Sequence, residues 1–556
     1  MVSLHEFQIY FQGLFNTART KLKTWFDDDG TYPDNTTRQN HGEQRYEEPT
    51  HPMSSYQRST LSRPSISGDG PFPTSRDPRS CFPDDQEVKR NIIPKTPVRT
   101  SKQQETSTPG NSLTSRVMSY FGYDGAPSSP RGLRNRGQNL CFFNSVVQCL
   151  SHLPNIFPQL SREIPRAGRM CDAADSSFLK EFCTLLVGCA SMPSGHAQST
   201  VDTYGFRKAA AQLGGSSQIV AQPGYAQTQQ DASEFLMWIL STLHDILQKV
   251  APVGNGKHGK NDFDSMSQEG MEDLKMKLFR QLESQDSMYD DVSVNAVRTL
   301  SDMEWYQLNH DKRSFVTDCF AGQLLELYEN QTVNRVAVGI QLFQVLPVPL
   351  CEARFISGIV QLQDCINSLS SIEHELPDGS TMLTNVMPSS AKKADYGVPP
   401  LSPPMFSSTP GRDHSPQNSN SSYEVRYQTT IRFPPRYLTL QLNRFTFVNG
   451  RTKKIKTPVN IPLTDLDLSS TLFEQHFSVH TPGKAHGPLY DLHGLCIHEG
   501  GESTESGHYV SYCKASDGHW YRFDDEVVNR VNMTYECCTQ TIRRNSYLLF
   551  YARKDG

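Results

Sequence analysis

The sequence has no apolar run that approaches the roughly 18 residues a membrane-spanning helix needs, so no transmembrane segment is expected. It also has little excess charge, since 54 lysines and arginines face 59 aspartates and glutamates for a net charge of −5. No bulk positive field draws the chain to a polynucleotide, and nucleic acid is not expected as a partner. Hydrophobic residues make up only 36% of the chain, which predicts that part of it lies outside any folded core.

The start of the chain does not resemble a secretory signal, because Glu6, Gln8 and Gln12 interrupt its first apolar stretch. The 13 cysteines are odd in number and show no regular spacing. We therefore expect reduced thiols and an intracellular location, in the cytoplasm or also in the nucleus.

Residues 1–26 are predicted to form an amphipathic helix, because their large apolar residues recur at three- and four-residue steps. That face comprises Phe7, Phe11, Leu14, Phe15, Ala18, Leu22, Trp25 and Phe26. It suits packing onto the folded domain, and with Arg19, Lys21 and Lys23 nearby it also suits a membrane surface or a partner's groove. Our hypothesis is that this helix is a localisation element and takes no part in catalysis.

Two further segments follow. Residues 27–130 are rich in Ser, Thr, Pro, Asn and Gln with almost no aliphatic periodicity, which predicts a disordered region. Residues 131–556 show periodic segments and are predicted to form one folded domain. Its helical patterns come first and its strand patterns later, which favours a segregated α+β architecture over alternating βαβ units.

Cys141 lies where a polar loop bracketed by glycines runs into an amphipathic segment. The apolar face of that segment is formed by Phe142, Val146, Val147 and Leu150. Cys141 is therefore expected at a helix N-terminus, where the helix dipole favours a thiolate and a backbone N–H can face an oxyanion. The alternative is an ordinary buried cysteine.

A second candidate element lies near the end of the chain, where His508 begins a strand-like run and Asp524 follows sixteen positions later, beyond a turn at Gly518. Two adjacent antiparallel strands would place the imidazole of His508 beside the Asp524 carboxylate, the arrangement that orients a general base. The alternative is a surface His–Asp pair.

Together the two elements resemble the cysteine and histidine boxes of the ubiquitin-specific proteases, the ubiquitin carboxyl-terminal hydrolases. In the first box Gly132, Leu133, Asn135, Gly137, Cys141, Asn144, Ser145 and Gln148 fall on typical positions. Between the boxes, "QQDASEFL" at 229–236 and "YLTLQLNRF" at 437–445 occur in the expected order, before a closing "YLLFYAR". The resemblance covers residues 131–553 and implies a papain-like fold with fingers, palm and thumb subdomains.

The resemblance also implies the chemistry. Cys141 would be the nucleophile, His508 the general base and Asp524 the third residue, with Asp525 able to share the orienting role. The reaction would be hydrolysis of the isopeptide or peptide bond after the C-terminal glycine of ubiquitin, with ubiquitin and ubiquitinated proteins as partners and no cofactor. The alternatives are a catalytically weak or inactive ubiquitin-binding scaffold and a hydrolase acting on another ubiquitin-like modifier.

Two departures from the family pattern stand out. The asparagine that supports the oxyanion usually lies five residues before the nucleophile, whereas Asn135 lies six before it. Asn135 remains the candidate, but the extra residue could bring Asn139 into that place or weaken the oxyanion hole. The second departure is that no Cys-x-x-Cys pair exists anywhere in the chain, so the structural zinc of many relatives' fingers is not expected and no metal is assigned.

Two ordinary structural roles are also predicted. Asp231, followed three residues later by Glu234, has the pattern of a helix N-cap. The "LNRF" segment is compatible with a buried strand end that carries one exposed cation, Arg444.

Overall fold

The computed structural model describes the chain from residue 130 to 554 with gaps. The described ranges are 130–164, 170–190, 200–213, 219–221, 223, 227–248, 263–330, 335–350, 358–375, 381–384, 425–448, 451–477, 487–503 and 506–554. The predicted helix at 1–26 and the predicted disordered region at 27–130 lie outside these residues, apart from Pro130, and stay predictions. In the described part, no helix is both long and apolar enough to cross a bilayer.

Helices form the first half of the described chain. They are α1 (Cys141–Ser151), α2 (Ile156–Leu160), α3 (Ala173–Ala190), α4 (Tyr204–Gln212), α5 (Ala232–Gln248), α6 (Gln268–Glu283), α7 (Asp291–Asp311) and α8 (Phe315–Phe320). Four short helices occur later, α9 (Leu362–Ser368), α10 (Phe473–Phe477), α11 (Met533–Glu536) and α12 (Gln540–Asn545). The order of helices before strands is as expected, and the α+β class is confirmed.

The α5 helix shows why these segments are helical. Its apolar residues at three- and four-residue steps, among them Phe235, Ile239 and Leu243, are all buried. The helix begins after Asp231, whose Oδ1 accepts hydrogen bonds from the backbone N–H of Ser233 at 2.6 Å and Glu234 at 3.2 Å. The predicted N-cap is therefore confirmed.

Strands dominate the second half. They are β1 (Gly322–Asn330), β2 (Arg335–Phe343), β3 (Val345–Val348), β4 (Val360–Gln361), β5 (Ile372–Glu375), β6 (Thr381–Thr384), β7 (Val425–Phe433), β8 (Tyr437–Leu442), β9 (Phe445–Val448), β10 (Arg451–Lys454), β11 (Val459–Asn460), β12 (Leu466–Asp467), β13 (Leu489–Glu499), β14 (His508–Lys514), β15 (Trp520–Asp524), β16 (Val527–Val531) and β17 (Ser546–Arg553).

These strands build two main sheets. The larger has the order β16-β15-β14-β13-β17-β8-β3 with β12 beside β13, and only the β3–β8 pair in it is parallel. The smaller is antiparallel, in the order β2-β1-β7-β5-β6. The helical half, the larger sheet and the smaller sheet correspond to the thumb, palm and fingers that the resemblance implies.

The α1 helix lies between the other thumb helices and the strands β13, β14 and β15. The Phe143 ring packs against Phe206 and Phe235 on the helical side, with ring centroids 5.6 and 4.9 Å away. On the sheet side a Cβ at Gly494 would come within 3.1 Å of the Cys149 Sγ. The predicted apolar face of α1 is buried as expected, and the polar residues on its other side are buried as well. The polar side of α1 is covered because it packs in the seam between two layers.

Arg444 corrects the expectation of an exposed cation. The side chain is fully buried, and its guanidinium donates to the backbone carbonyls of Ile455, Thr457, Arg543 and Ser546 at 2.5–3.1 Å. Burial lowers its pKa to about 10. Arg444 thus links the end of β8 to the start of β17 through hydrogen bonds and does not face solvent.

The smaller sheet carries a buried ion pair. Glu329 on β1 and Arg426 on β7 lie 3.1 Å apart, and the Glu329 side chain is only 3% exposed. The same carboxylate accepts a hydrogen bond from the backbone N–H of Met288 at 3.0 Å. The donor set offers no thiolate pair, so these residues do not fit a tetrahedral structural zinc.

We therefore expect metal chelators to leave both the melting temperature and the rate of hydrolysis unchanged, because the sequence has no Cys-x-x-Cys pair to hold a structural zinc. The measurement is thermal unfolding and turnover before and after treatment with a strong zinc chelator, alongside elemental analysis of tag-free protein. One zinc per chain in that analysis, or unfolding on chelation, would contradict the prediction.

Candidate active site

The structure brings Cys141, His508 and Asp524 together. Cys141 is the first residue of α1, His508 is the first residue of β14, and Asp524 ends the neighbouring strand β15. Because β14 and β15 pair antiparallel around the turn at Gly518, His508 Nε2 lies 2.7 Å from Asp524 Oδ1. The predicted juxtaposition of imidazole and carboxylate is thus present.

His508 also contacts the Cys141 thiol on its other side. The hydrogen bond with Cys141, and after it the hydrogen bond with Asp524, raises the pKa of His508 to about 9 against the opposing effect of burial. Burial acts to raise the pKa of Asp524, but His508 and the Arg522 guanidinium, 3.0 Å from Oδ2, hold it below its usual value. The His508 side chain, which lies between the Cys141 thiol and the Asp524 carboxylate, therefore favours its protonated imidazolium form at neutral pH.

The pKa of His508 predicts the alkaline limb of the pH–rate profile. Its value in the folded protein lies above the ordinary 6.5, so the imidazolium persists through neutral pH and is lost as the pH rises through about 9. Neutral imidazole has no proton to give to a leaving amine. We expect kcat/KM to hold level at neutral pH and to fall above about pH 9. A profile that falls already near pH 7 would contradict this assignment.

Asp525, which the sequence allowed as a second residue orienting His508, instead accepts hydrogen bonds from two asparagines. Its Oδ1 accepts from Asn144 Nδ2 and its Oδ2 accepts from Asn135 Nδ2, both at 2.7 Å. Its backbone has a left-handed φ of 50° and lies in the turn between β15 and β16. Burial raises the pKa of Asp525, while the two amides oppose that shift. Asp525 therefore fastens the loop before Cys141 and the α1 helix to the palm. Of the two aspartates, Asp524 forms the hydrogen bond with the imidazole, and Asp525 acts on it through its charge.

The same loop explains Gly132. A Cβ at this position would lie 2.5 Å from the carbonyl oxygen of Glu526 and 2.6 Å from that of Asp525. The next residue, Leu133, donates its N–H to the Asp525 carbonyl at 2.9 Å. Only a glycine lets the cysteine box and the histidine box approach this closely.

Asn135 lies in this loop with both ends of its amide engaged. Its Oδ1 accepts from the N–H groups of Leu140 at 3.0 Å and Gln138 at 3.1 Å, while Nδ2 donates to Asp525. The Nδ2 group has two hydrogens and the contact with Asp525 uses one. The oxyanion role of Asn135 stays a prediction. Asn139 donates its Nδ2 to the carbonyl of Gln227 at 3.0 Å, on the helical side of the loop.

His508, Asp524 and Asp525 are also the cluster within the described ranges whose ligand atoms lie within 4.8 Å of one another. His508 and Asp524 are hydrogen-bonded to each other and Asp525 accepts from two amides. These engagements describe a proton-transfer site, and we assign no metal to it.

The pattern of the family described as ubiquitin carboxyl-terminal hydrolase matches residues 131–551. The chain is 26% identical over 425 residues to Ubiquitin carboxyl-terminal hydrolase 21 of Mus musculus, covering 76% of this chain and 61% of that protein. It is 26% identical over 456 residues to Ubiquitin carboxyl-terminal hydrolase Usp2 of Drosophila melanogaster, covering 81% and 38%.

Among solved structures, the SAGA Ubp8/Sgf11/Sus1/Sgf73 DUB module bound to ubiquitin aldehyde contains a similar chain. The TM-score is 0.47 and the identity 19%, over 77% of this chain and 72% of the other. The matches to the two curated relatives above span less than two thirds of those relatives' lengths.

Proposed function

Because the chain belongs to the ubiquitin carboxyl-terminal hydrolase family, we propose that it is a thiol-dependent deubiquitinase. It hydrolyses the isopeptide or peptide bond that follows the C-terminal glycine of ubiquitin. The observation that carries this proposal is the chain of contacts from the Cys141 thiol at the start of α1, through the His508 imidazole, to the Asp524 carboxylate.

The reaction follows from these contacts. The Cys141 thiolate attacks the carbonyl carbon of the terminal glycine, and the developing oxyanion faces the N–H groups at the start of α1 and the Asn135 amide. The His508 imidazolium gives its proton to the departing amine, which leaves ubiquitin as a thioester on Cys141. Neutral His508 then takes a proton from water, and the hydroxide attacks the thioester carbonyl and expels the Cys141 thiolate. The released ubiquitin carboxyl group loses its proton to solvent, and the thiolate–imidazolium pair is restored.

A ubiquitin probe with an electrophile in place of the terminal carboxylate tests this function directly, because labelling needs both ubiquitin recognition and a reactive thiolate. We expect one probe per chain, attached at Cys141. Ubiquitin binding without labelling would point instead to an inactive scaffold. Labelling only by a probe built on another ubiquitin-like modifier would assign a different substrate.

The localisation proposal rests on residues 1–26, which precede about a hundred polar residues. We propose an intracellular enzyme whose N-terminal segment tethers it to an anionic membrane surface or to a partner's groove. Deleting residues 1–30 is expected to leave hydrolysis of a small ubiquitin amide unchanged and to abolish recruitment to anionic vesicles or to its place in cells. If deletion lowers hydrolysis and leaves localisation intact, the segment belongs to the folded domain.

A further inference from the structure

The resemblance to the cysteine box implies one added residue in the loop before Cys141, and the structure shows which contacts hold that loop. Residues 136–139 are exposed, yet three of them have positive φ: Arg136 at 40°, Gly137 at 71° and Asn139 at 55°. Two of these residues are not glycine. Such conformations persist at exposed positions only when surrounding contacts fix them.

One of those contacts reaches into the thumb. Gln138 Oε1 accepts a 2.6 Å hydrogen bond from Nη1 of Arg207, a residue on α4 that is only 2% exposed. The same guanidinium donates from Nε to the carbonyl of Ala221 at 2.9 Å. A buried guanidinium is costly unless its N–H groups have acceptors. Gln138 supplies one of those acceptors from the loop.

A second contact lies beside the first. Asn139 Nδ2 donates to the backbone carbonyl of Gln227. Gln227 is itself a buried residue. Gln227 in turn accepts from the Ala221 N–H at 2.6 Å through Oε1. Arg207 and Gln227 therefore hold the same short segment at Ala221, and together they form one anchor for the thumb side of the loop.

The opposite side of the loop is held by Asn135, which joins Asp525 to the Leu140 N–H. Leu140 is fully buried and immediately precedes Cys141, without a side-chain cap of its own. The direction of the N–H groups at Leu140 and Cys141 is thus set by a loop suspended between two anchors. A small displacement of an oxyanion donor lowers kcat substantially, because stabilisation of the oxyanion depends on the position of the donor.

We propose that Gln138 is a positioning residue for hydrolysis. By accepting from Arg207 it holds the loop in place, so that the backbone N–H of Cys141 faces the oxyanion. This inference rests on the proposed deubiquitinase function and adds to it two residues, Gln138 and Arg207, that act through the loop and do not touch the reacting atoms.

The test compares Gln138→Ala, which removes the acceptor, with Gln138→Glu, which keeps one. With a fluorogenic ubiquitin amide we expect Gln138→Ala to lower kcat by about tenfold with KM little changed, below the cost of losing an oxyanion donor outright. Gln138→Glu should stay within about twofold of wild type, because a carboxylate also accepts from a guanidinium. Arg136→Ala, in the same exposed stretch, and Lys208→Ala, an exposed cation next to Arg207, are the matched controls.

Two further measurements separate positioning from loss of structure. Combining Gln138→Ala with Arg207→Lys should cost no more than Arg207→Lys alone, because that change already removes the contact with Gln138 together with the Nε contact to Ala221. Alkylation of Cys141 by a small haloacetamide, followed by peptide mass spectrometry, should keep its wild-type rate, because that reaction forms no oxyanion.

The outcomes distinguish a failure of the Gln138 positioning role from a failure of the proposed deubiquitinase function. Wild-type protein that turns over the ubiquitin amide while Gln138→Ala matches the Arg136→Ala control would overturn the positioning role alone. Slower Cys141 alkylation in Gln138→Ala, or no rescue by Gln138→Glu, would also overturn it. Wild-type protein without turnover would overturn the proposed function and this inference with it.

Discussion

Cys141→Ser is expected to lower turnover of a ubiquitin amide by about 10⁴-fold or more, because a serine hydroxyl in this place is not ionised and His508 is already protonated. Ubiquitin binding should stay within about threefold of wild type, since one sulfur is exchanged for one oxygen and the surrounding surface is unchanged. The measurements are kcat from a fluorogenic ubiquitin amide and affinity from titration calorimetry with free ubiquitin.

The matched control for this variant is Cys149→Ala, which alters another cysteine of the same helix. Burial, first of all, raises the pKa of the Cys149 thiol, and its Sγ lies 3.5 Å from that of Cys496 in the palm. This change should affect the melting temperature more than kcat. If Cys141→Ser keeps even a tenth of wild-type turnover, Cys141 is not the nucleophile.

The placement of Cys141 and His508 was accessible from the sequence because both depend on local pattern. A glycine-bracketed loop before an apolar run predicts a helix start, and α1 does begin at Cys141. A strand, a glycine turn and a second strand predict an antiparallel pair, and β14 and β15 place His508 against Asp524. Local geometry alone suffices for these contacts.

The roles of Asp525, Arg444 and Arg207 were not accessible in the same way. Asp525 binds Asn135 and Asn144, which lie 390 and 381 positions earlier in the chain. Arg444 is buried because segments about a hundred residues later close over it. No periodicity encodes a hydrogen bond between residues so far apart, and composition favours an exposed charge at each of these positions. A buried charge becomes predictable only when its acceptors are located.

Replacing Asp524 or Asp525 with alanine is expected to impair hydrolysis in two different ways. Asp524→Ala should lower kcat/KM by about 10³-fold or more, since the imidazole loses the carboxylate that orients it. The alkaline limb of its pH profile should also move below the wild-type position near pH 9, because the contact with Asp524 helps to raise the pKa of His508. Asp525→Ala should lower kcat by about 10²-fold through a loosened loop. It should move that limb less than Asp524→Ala does, because Asp525 acts on His508 through its charge and not through a hydrogen bond.

Asp517→Ala is the control for both variants, because this exposed aspartate lies in the turn that joins β14 to β15 and does not contact the imidazole. Its kcat should remain within a few-fold of wild type. A shift of the alkaline limb in Asp525→Ala, with none in Asp524→Ala, would transfer the orienting role to Asp525. Full activity in the Asp524/Asp525 double alanine variant would show that neither carboxylate orients His508. The alkaline limbs of the two single variants therefore distinguish the carboxylate that orients His508 from the carboxylate that holds the loop before Cys141.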